Sequence, residues 1–286
     1  MADVRAVAED RFAAAYETVP DWARARLKKG IADVWSWLGA VAWKQEFKQT
    51  DYPAGAKVLQ RRQPRDWCLV VARPDTGPGV ILGAVLPPLL SAVHEVAVLW
   101  VGQEEDLQDS TLLALELAGV EQVYSCDQRL LEQGMQETID LLDGSWGGVL
   151  RLGTPPGSGH HPIPRPKGKR FWQFCLPVPE TAGIFADDPG LWDFETLHFA
   201  HPNLDIQVWS ASGEPALGKW PGVQGGWEDF LNRDFDLVLV EEGKVMEALR
   251  HFPVVLGPGQ EVSWIWPDYP WQVCFRDHLG WAQAAG

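Results

Sequence analysis

Cysteine is scarce in this sequence and never paired. Cys68, Cys126, Cys175 and Cys274 stand far apart, with no C-x-x-C motif and no Cys/His cluster, so zinc-finger spacing is excluded. Three of the four lie in apolar runs and read as buried thiols. No apolar run reaches about eighteen residues, and Met1-Ala2-Asp3-Val4-Arg5-Ala6-Val7 lacks an apolar signal core; no membrane association is expected, and the expected location is cytoplasmic. Basic residues are few, 24 Lys and Arg against 39 Asp and Glu, for a net charge of −15. Such a chain repels nucleic-acid phosphates and anionic lipid at long range, so neither is an expected partner. The exception is Arg165-Pro166-Lys167-Gly168-Lys169-Arg170, which follows His160 and His161 and reads as a solvated loop before it reads as an anion site. No repeat of fixed period is present.

What the sequence has is the composition of a folding α/β protein: 286 residues, 46% hydrophobic and 22% charged, enough for two domains of ordinary size. Residues 9 to 48 carry Phe12, Ala15, Tyr16, Leu27, Ile31, Val34, Trp35 and Leu38 at helical spacing, with Pro20-Asp21 as stop and N-cap, which predicts two helices. A short strand is expected at Lys57–Arg61. Trp67–Ala72, Glu95–Val101 and Gln122–Ser125 are buried parallel strands by their continuous apolar character. Helices at Val80–Val93 and Leu112–Ala118 separate them, the second closed by Gly119. Residues 153 to 168 are Gly- and Pro-rich loop. The strand and helix alternation then resumes at Gly183–Ala186, Trp192–Phe199, Ile206–Trp209, Phe235–Val240, Lys244–Arg250 and Pro253–Leu256, the grammar of parallel sheets with crossover helices.

These segments carry a resemblance to the histidinol dehydrogenase family, collinear over nearly the whole chain. Its strongest part is residues 9 to 125: Ala14-Ala15-Tyr16, Gly55, Arg61-Arg62-Gln63-Pro64, Leu82 through Val93, and Leu117-Ala118-Gly119-Val120-Glu121-Gln122-Val123-Tyr124. Weaker matches follow in order. Val149 through Gly157 is similar to a Val-Gly-Pro-Gly-Asn turn, and Pro179 through Asp187 to a Pro-Ser-Glu-x-x-x-Ile-Ala-Asp strand. His198-Phe199-Ala200-His201 falls where the family has Gln-Ala-Glu-His, and Asp234 through Pro258 resembles the strand, helix and strand after the catalytic Glu-His pair. The resemblance implies an aldehyde/histidinol dehydrogenase-like α/β fold of two unequal Rossmann-like lobes with parallel sheets. The expected division is residues 1–60 as N-terminal helices packing on the second lobe, 61–155 as a nucleotide-binding-like lobe, and 156–286 as a shortened second lobe with a Trp-rich tail.

The resemblance also implies NAD, zinc and a proton-transferring Glu-His pair, and the residues disfavour all three. Where the general base should stand the chain has Asp234-Phe235-Asp236; phenylalanine takes no proton, and an exposed aspartate is a poor base near neutral pH. His198 and His201, at i and i+3 on one helix face, are candidates for catalysis and for two zinc ligands, but the family's Gly-Asp-Tyr segment and tail ligand have no counterpart. For the cofactor, Arg73, Gly77, Gly79 and Gly157 are the candidates: the glycines permit close backbone approach, Arg73 could offset charge, and Asp75 would repel a pyrophosphate. Sixteen tryptophans, many of them late in the chain, suggest that Val262-Ser263-Trp264-Ile265-Trp266-Pro267 covers apolar surface within the chain or across a homodimer. The first functional reading is therefore a degenerate histidinol dehydrogenase-like protein without that activity, with a ligand-binding or otherwise repurposed role. The alternatives are an NAD-dependent oxidoreductase of altered chemistry using His198, His201 or Asp234, and a protein-interaction scaffold. The partner, small molecule or protein, is left open.

Overall fold

The computed structural model describes residues 4–42, 46–53, 56–153, 166–211, 220 and 222–283. Strand β1 (Arg5–Ala6) leads into α1 (Glu9–Thr18) and α2 (Asp21–Ala42), the two expected helices, which bury Ala15, Ala23, Leu27 and Val34. The helical stretch expected to run to residue 48 stops at Ala42, and β2 (Glu46–Asp51) follows. Glu-Phe-Lys-Gln-Thr-Asp has no apolar stripe for a helix to bury, and it pairs instead with β3 (Ala56–Pro64), a strand longer than the short connector expected there.

The next unit is β4 (Trp67–Ala72), α3 (Pro78–Leu90), β5 (Glu95–Val101), α4 (Asp109–Ala118), β6 (Gln122–Cys126), α5 (Leu131–Leu141), β7 (Trp146–Leu152) and β8 (Arg170–Leu176). They build a six-stranded sheet in the order β1-β6-β5-β4-β7-β8, in which only β1 runs antiparallel. Alternation along β4 divides the core. Trp67, Leu69 and Val71 join Met135 and Ile139 of α5 on one face, while Cys68, Val70 and Ala72 face α3 and α4 on the other. Gly119 closes α4 in the left-handed conformation at φ 81°, the cap expected of it.

The second sheet comprises β9 (Thr181–Phe185), α6 (Phe194–Ala200), β10 (Asp205–Ser210), β11 (Gly222–Gln224), α7 (Trp227–Leu231), β12 (Leu237–Leu239), α8 (Glu242–Ala248) and β13 (Val255–Leu256). Its order is β11-β10-β9-β12-β13, all parallel. One face buries an aromatic cluster of Phe185, Trp209, Phe230, Phe235 and Phe252, and the other shares the large core between the sheets. The chain is thus α/β with two unequal parallel sheets, as expected. A third sheet was not foreseen: β14 (Phe275–Gln283) pairs antiparallel with β3, giving the order β14-β3-β2.

The N-terminal helices pack on the first sheet's helices, α1 on α4 and α2 on α3, and α2 also meets the second unit, Trp22 lying edge-on to Phe199 and Arg26 pairing with Asp193. The cause lies in α3, Pro-Gly-Val-Ile-Leu-Gly-Ala-Val-Leu-Pro-Pro-Leu-Leu, which is apolar on every side and buried along nearly its whole length. A helix of that kind needs cover on the face turned away from its sheet, and α2 supplies it.

Candidate functional site

In open α/β sheets ligands bind at the carboxyl ends of the strands where the strand order reverses. In the first sheet that point lies between β4 and β7, because β5 adds on one side of β4 and β7 on the other. The loop leaving β4, Arg73 to Gly77, stands there. Its groups are already engaged. The Arg73 guanidinium donates to the Gly153 carbonyl after β7 at 3.0 Å and pairs with Asp75 at 3.3 Å. The Arg73 amide donates to Thr76 Oγ1, Thr111 Oγ1 donates to the Thr76 carbonyl, and Asn203 Nδ2 donates to the Asp75 carbonyl at 3.0 Å.

The two glycines sit against protein. A Cβ on Gly77 would stand 2.7 Å from the Ala200 carbonyl oxygen and 2.7 Å from Pro202 Cδ; one on Gly79 would stand 2.6 Å from His201 Cε1 and 2.6 Å from the Val262 carbonyl oxygen. The turn after α6 is therefore packed directly against the glycines at the start of α3. Gly83, one turn further along α3, meets the Trp264 carbonyl oxygen in the same way at 2.4 Å, and Gly30 of α2 meets Val262 Cγ1 at 2.6 Å. Gly79 and Gly83 lie four apart on one helix face, and the segment Val262–Trp264 runs along that face. The strand and helix pattern does not point to this role; its signal in the sequence is Gly-x-x-x-Gly on a helix with no polar face.

The structure separates the candidate histidines. His201 leaves the helix at its C-cap with φ −134° and ψ 67°, and its ring lodges against Gly79, fully buried, with neither nitrogen making a well-formed hydrogen bond. Burial pushes its pKa down to about 4, with the Glu261 backbone pulling weakly the other way. His198 stays on the helix, half-buried, edge-on to Trp220 at 6.3 Å. Asp234 is exposed at the amino end of β12, while Phe235 beside it belongs to the aromatic cluster. Asp236 caps the start of β9, accepting from the amides of Glu180 and Thr181 and from Thr181 Oγ1. Among the described residues no three His, Cys, Asp or Glu converge as a metal site would require, so those residues do not fit zinc. Gly157, His160, His161 and Arg165 lie outside the described residues. Of the basic cluster, Lys169 donates to the Leu142 and Gly144 carbonyls and Arg170 lies over the Trp146 ring at 5.0 Å.

The tail does more than the sequence foretold. Trp264 and Trp266 are 4% and 5% exposed; Trp266 Nε1 donates to the Pro177 carbonyl at 2.8 Å and the Tyr269 hydroxyl to the Ala84 carbonyl at 3.2 Å. Buried Glu261 accepts from the Gly259 and Asp193 amides. Trp281, by contrast, is 74% exposed on β14.

No family model matches this chain, and no curated protein matches it. Solved structures do. A histidinol dehydrogenase from Elizabethkingia anophelis superposes with a TM-score of 0.55 at 11% identity, over 97% of this chain and 76% of that one. A bifunctional proline utilization A protein superposes with a TM-score of 0.50 at 10% identity, over 91% of this chain and 38% of that one. At such identities the likeness establishes a fold like that of the histidinol dehydrogenase, and nothing of the chemistry.

Proposed function

We propose that this chain is a binding protein built on a dehydrogenase fold and does not oxidise histidinol. One observation carries the reading: the Ala200–Pro202 turn and the Val262 carbonyl are packed against Gly77 and Gly79, where a dinucleotide would need open backbone. The dispersal of His198, His201 and Asp234 supports it, since a base and its orienting partner must lie within hydrogen-bond reach of one another and of substrate. The test is turnover of histidinol by the full chain with NAD and zinc supplied. The expected rate is background, unchanged in His198→Ala and His201→Ala. Turnover abolished by either substitution would replace this reading with a dehydrogenase of altered chemistry.

A second reading, contact with a protein or a second copy, is favoured by the three-stranded sheet. Leu279 and Trp281 point to one face of β14, with Val58 of β3 beside them, and Leu279 and Trp281 are more than two-thirds exposed. Two large apolar side chains left uncovered on an edge strand, with the polar Gln60, Lys48 and Asp277 around them, offer a surface for association. Sedimentation of the wild type and of Leu279→Glu/Trp281→Glu tests it: self-association in the first and its loss in the second is the expected pair of results, and a monomeric wild type would discard the homodimer.

A further inference from the structure

Short length and charge are the devices by which a sheet edge is kept from pairing with another chain, and the edge strands of this fold use them with one exception. Strands β1, β11 and β13 are two or three residues long. Strand β2 carries Glu46, Lys48 and Asp51, and β14 opens with Arg276, Asp277 and His278 after Phe275. Strand β8, at the end of the first sheet, has seven residues, and after Arg170 it reads Phe-Trp-Gln-Phe-Cys-Leu, with no charge and no proline. We infer that this edge binds an extended, acidic peptide segment of a partner protein, which adds to the first sheet as a further strand. The inference goes beyond the proposed function and holds whether or not the nucleotide crevice is filled.

The ladder fixes which backbone groups are free. The Arg170 amide donates to the Ser145 carbonyl at 2.7 Å, and the Leu176 carbonyl accepts from the Gly153 amide at 3.0 Å. In this parallel register the even-numbered residues of β8 therefore bond inward to β7, and Phe171, Gln173 and Cys175 turn N–H and C=O outward. Among the described residues no bond outside the ladder reaches the main chain of those three. Three outward donor and acceptor pairs are the template that strand addition uses. The stretch of chain just before β8 contains Pro155, Pro156, Pro162 and Pro164, which lack the donor that edge pairing needs, so its chemistry suits it poorly to this edge.

Side chains set the character of the partner. Arg170 and Trp172 stand on one face of β8 by alternation, and both are exposed. The Arg170 guanidinium lies over the Trp146 ring at 5.0 Å and has no carboxylate partner among the described residues. Arg276 lies over the same ring at 5.8 Å, with Asp66 3.8 Å away offsetting part of its charge. Lys167, exposed in the turn before the strand, adds a third cation. On a chain of net charge −15 this local reversal of sign favours acidic side chains in a partner and rejects basic ones.

The probe is the peptide Val-Glu-Val-Glu-Val-Glu-Val, set against its lysine twin and against a fully N-methylated twin that keeps the charge and has no amide donor. Binding to the full-length protein is followed by fluorescence anisotropy, and amide exchange in the complex by NMR. The acidic peptide should bind saturably, the lysine twin about tenfold more weakly, and the N-methylated twin not at all. In the complex the amides of Phe171, Gln173 and Cys175 should exchange more slowly, while those of Trp172 and Phe174, already bonded to β7, should be unchanged. Arg170→Glu, at an exposed position, should erase the preference for the acidic peptide. Gln173→Pro removes one outward donor and leaves the inner ladder whole; it should weaken binding about fivefold, the effect of one lost hydrogen bond. Absence of saturable binding, retention of the N-methylated twin, equal slowing of both sets of amides, or an acidic preference that survives Arg170→Glu overturns the inference. Peptide affinity that falls as protein concentration rises also overturns it, because a second copy then covers the edge.

Discussion

Replacing Gly83 by alanine should destabilise this protein even though alanine is the better helix former. In an unhindered helix interior the exchange stabilises by about 1 kcal/mol. At Gly83 the added methyl would stand 2.4 Å from the Trp264 carbonyl oxygen, and the obstacle is backbone held by Trp264 and Trp266 on either side of Ile265, both buried. Overpacking of that kind costs about 2–3 kcal/mol, which leaves a net loss of about 1–2 kcal/mol, or a Tm lower by about 2–3 °C in a chain of this size. Gly243 in α8 is the control: a Cβ there meets nothing within 4 Å, so Gly243→Ala should gain about 0.5 kcal/mol. Urea unfolding of the three proteins, compared by midpoint at constant slope, reads both signs. If Gly83→Ala is as stable as the wild type or more so, the packing of the tail against the α3 glycine face is wrong.

Two other results follow from the same contacts. His201 has its pKa lowered in the fold to about 4 from an ordinary value near 6.5, so the unfolded chain binds the extra proton between those values. Its contribution is complete above about pH 6.5 and is lost as pH falls toward 4, by up to about 3 kcal/mol; in His201→Leu the decline of stability with acidification over that window should be shallower, and identical slopes would show that the imidazole is not desolvated. Deleting residues 260 to 286 removes Trp264 and Trp266 from the core and β14 from β3. Truncating one buried tryptophan costs about 3–5 kcal/mol, so two approach the whole stability of a domain, about 5–15 kcal/mol. The shortened protein should be insoluble, and a soluble, cooperatively melting product would mean that the tail caps nothing.

The parts of the fold that the sequence made legible are those whose pattern is local. Trp67–Ala72 is buried at every position, and an uninterrupted apolar run of that length, bounded by a Pro-Asp-Thr-Gly-Pro-Gly loop, has few other readings. Strand β2 escaped because Glu46–Asp51 is polar and almost wholly exposed; only its pairing with β3 makes it a strand. Strand β8 escaped for a related reason: at the sheet edge its exposed Arg170 and Trp172 alternate with buried Phe171, so no continuous apolar run marks it. At the site the difficulty was distance along the chain. His198 and His201 read as a pair because a helix places i and i+3 together, but the helix ends at Ala200, and the next residue turns toward Gly79. That contact joins two elements through the tertiary fold, and no spacing announces it. Gly77 and Gly79 read in the sequence as places where a cofactor could come close; in the fold, Ala200, Pro202, His201 and Val262 stand against them.

The central claim is that the nucleotide crevice is filled, and equilibrium binding of NAD to the full-length protein tests it most directly. Calorimetric titration should give no saturable heat up to about 1 mM NAD, a concentration at which an interaction worth about 4 kcal/mol or more would register. Saturable binding at one NAD per chain, weakened when Gly79 is replaced, would contradict the account, because the Ala200–Pro202 turn would then have to leave the place where the structure puts it.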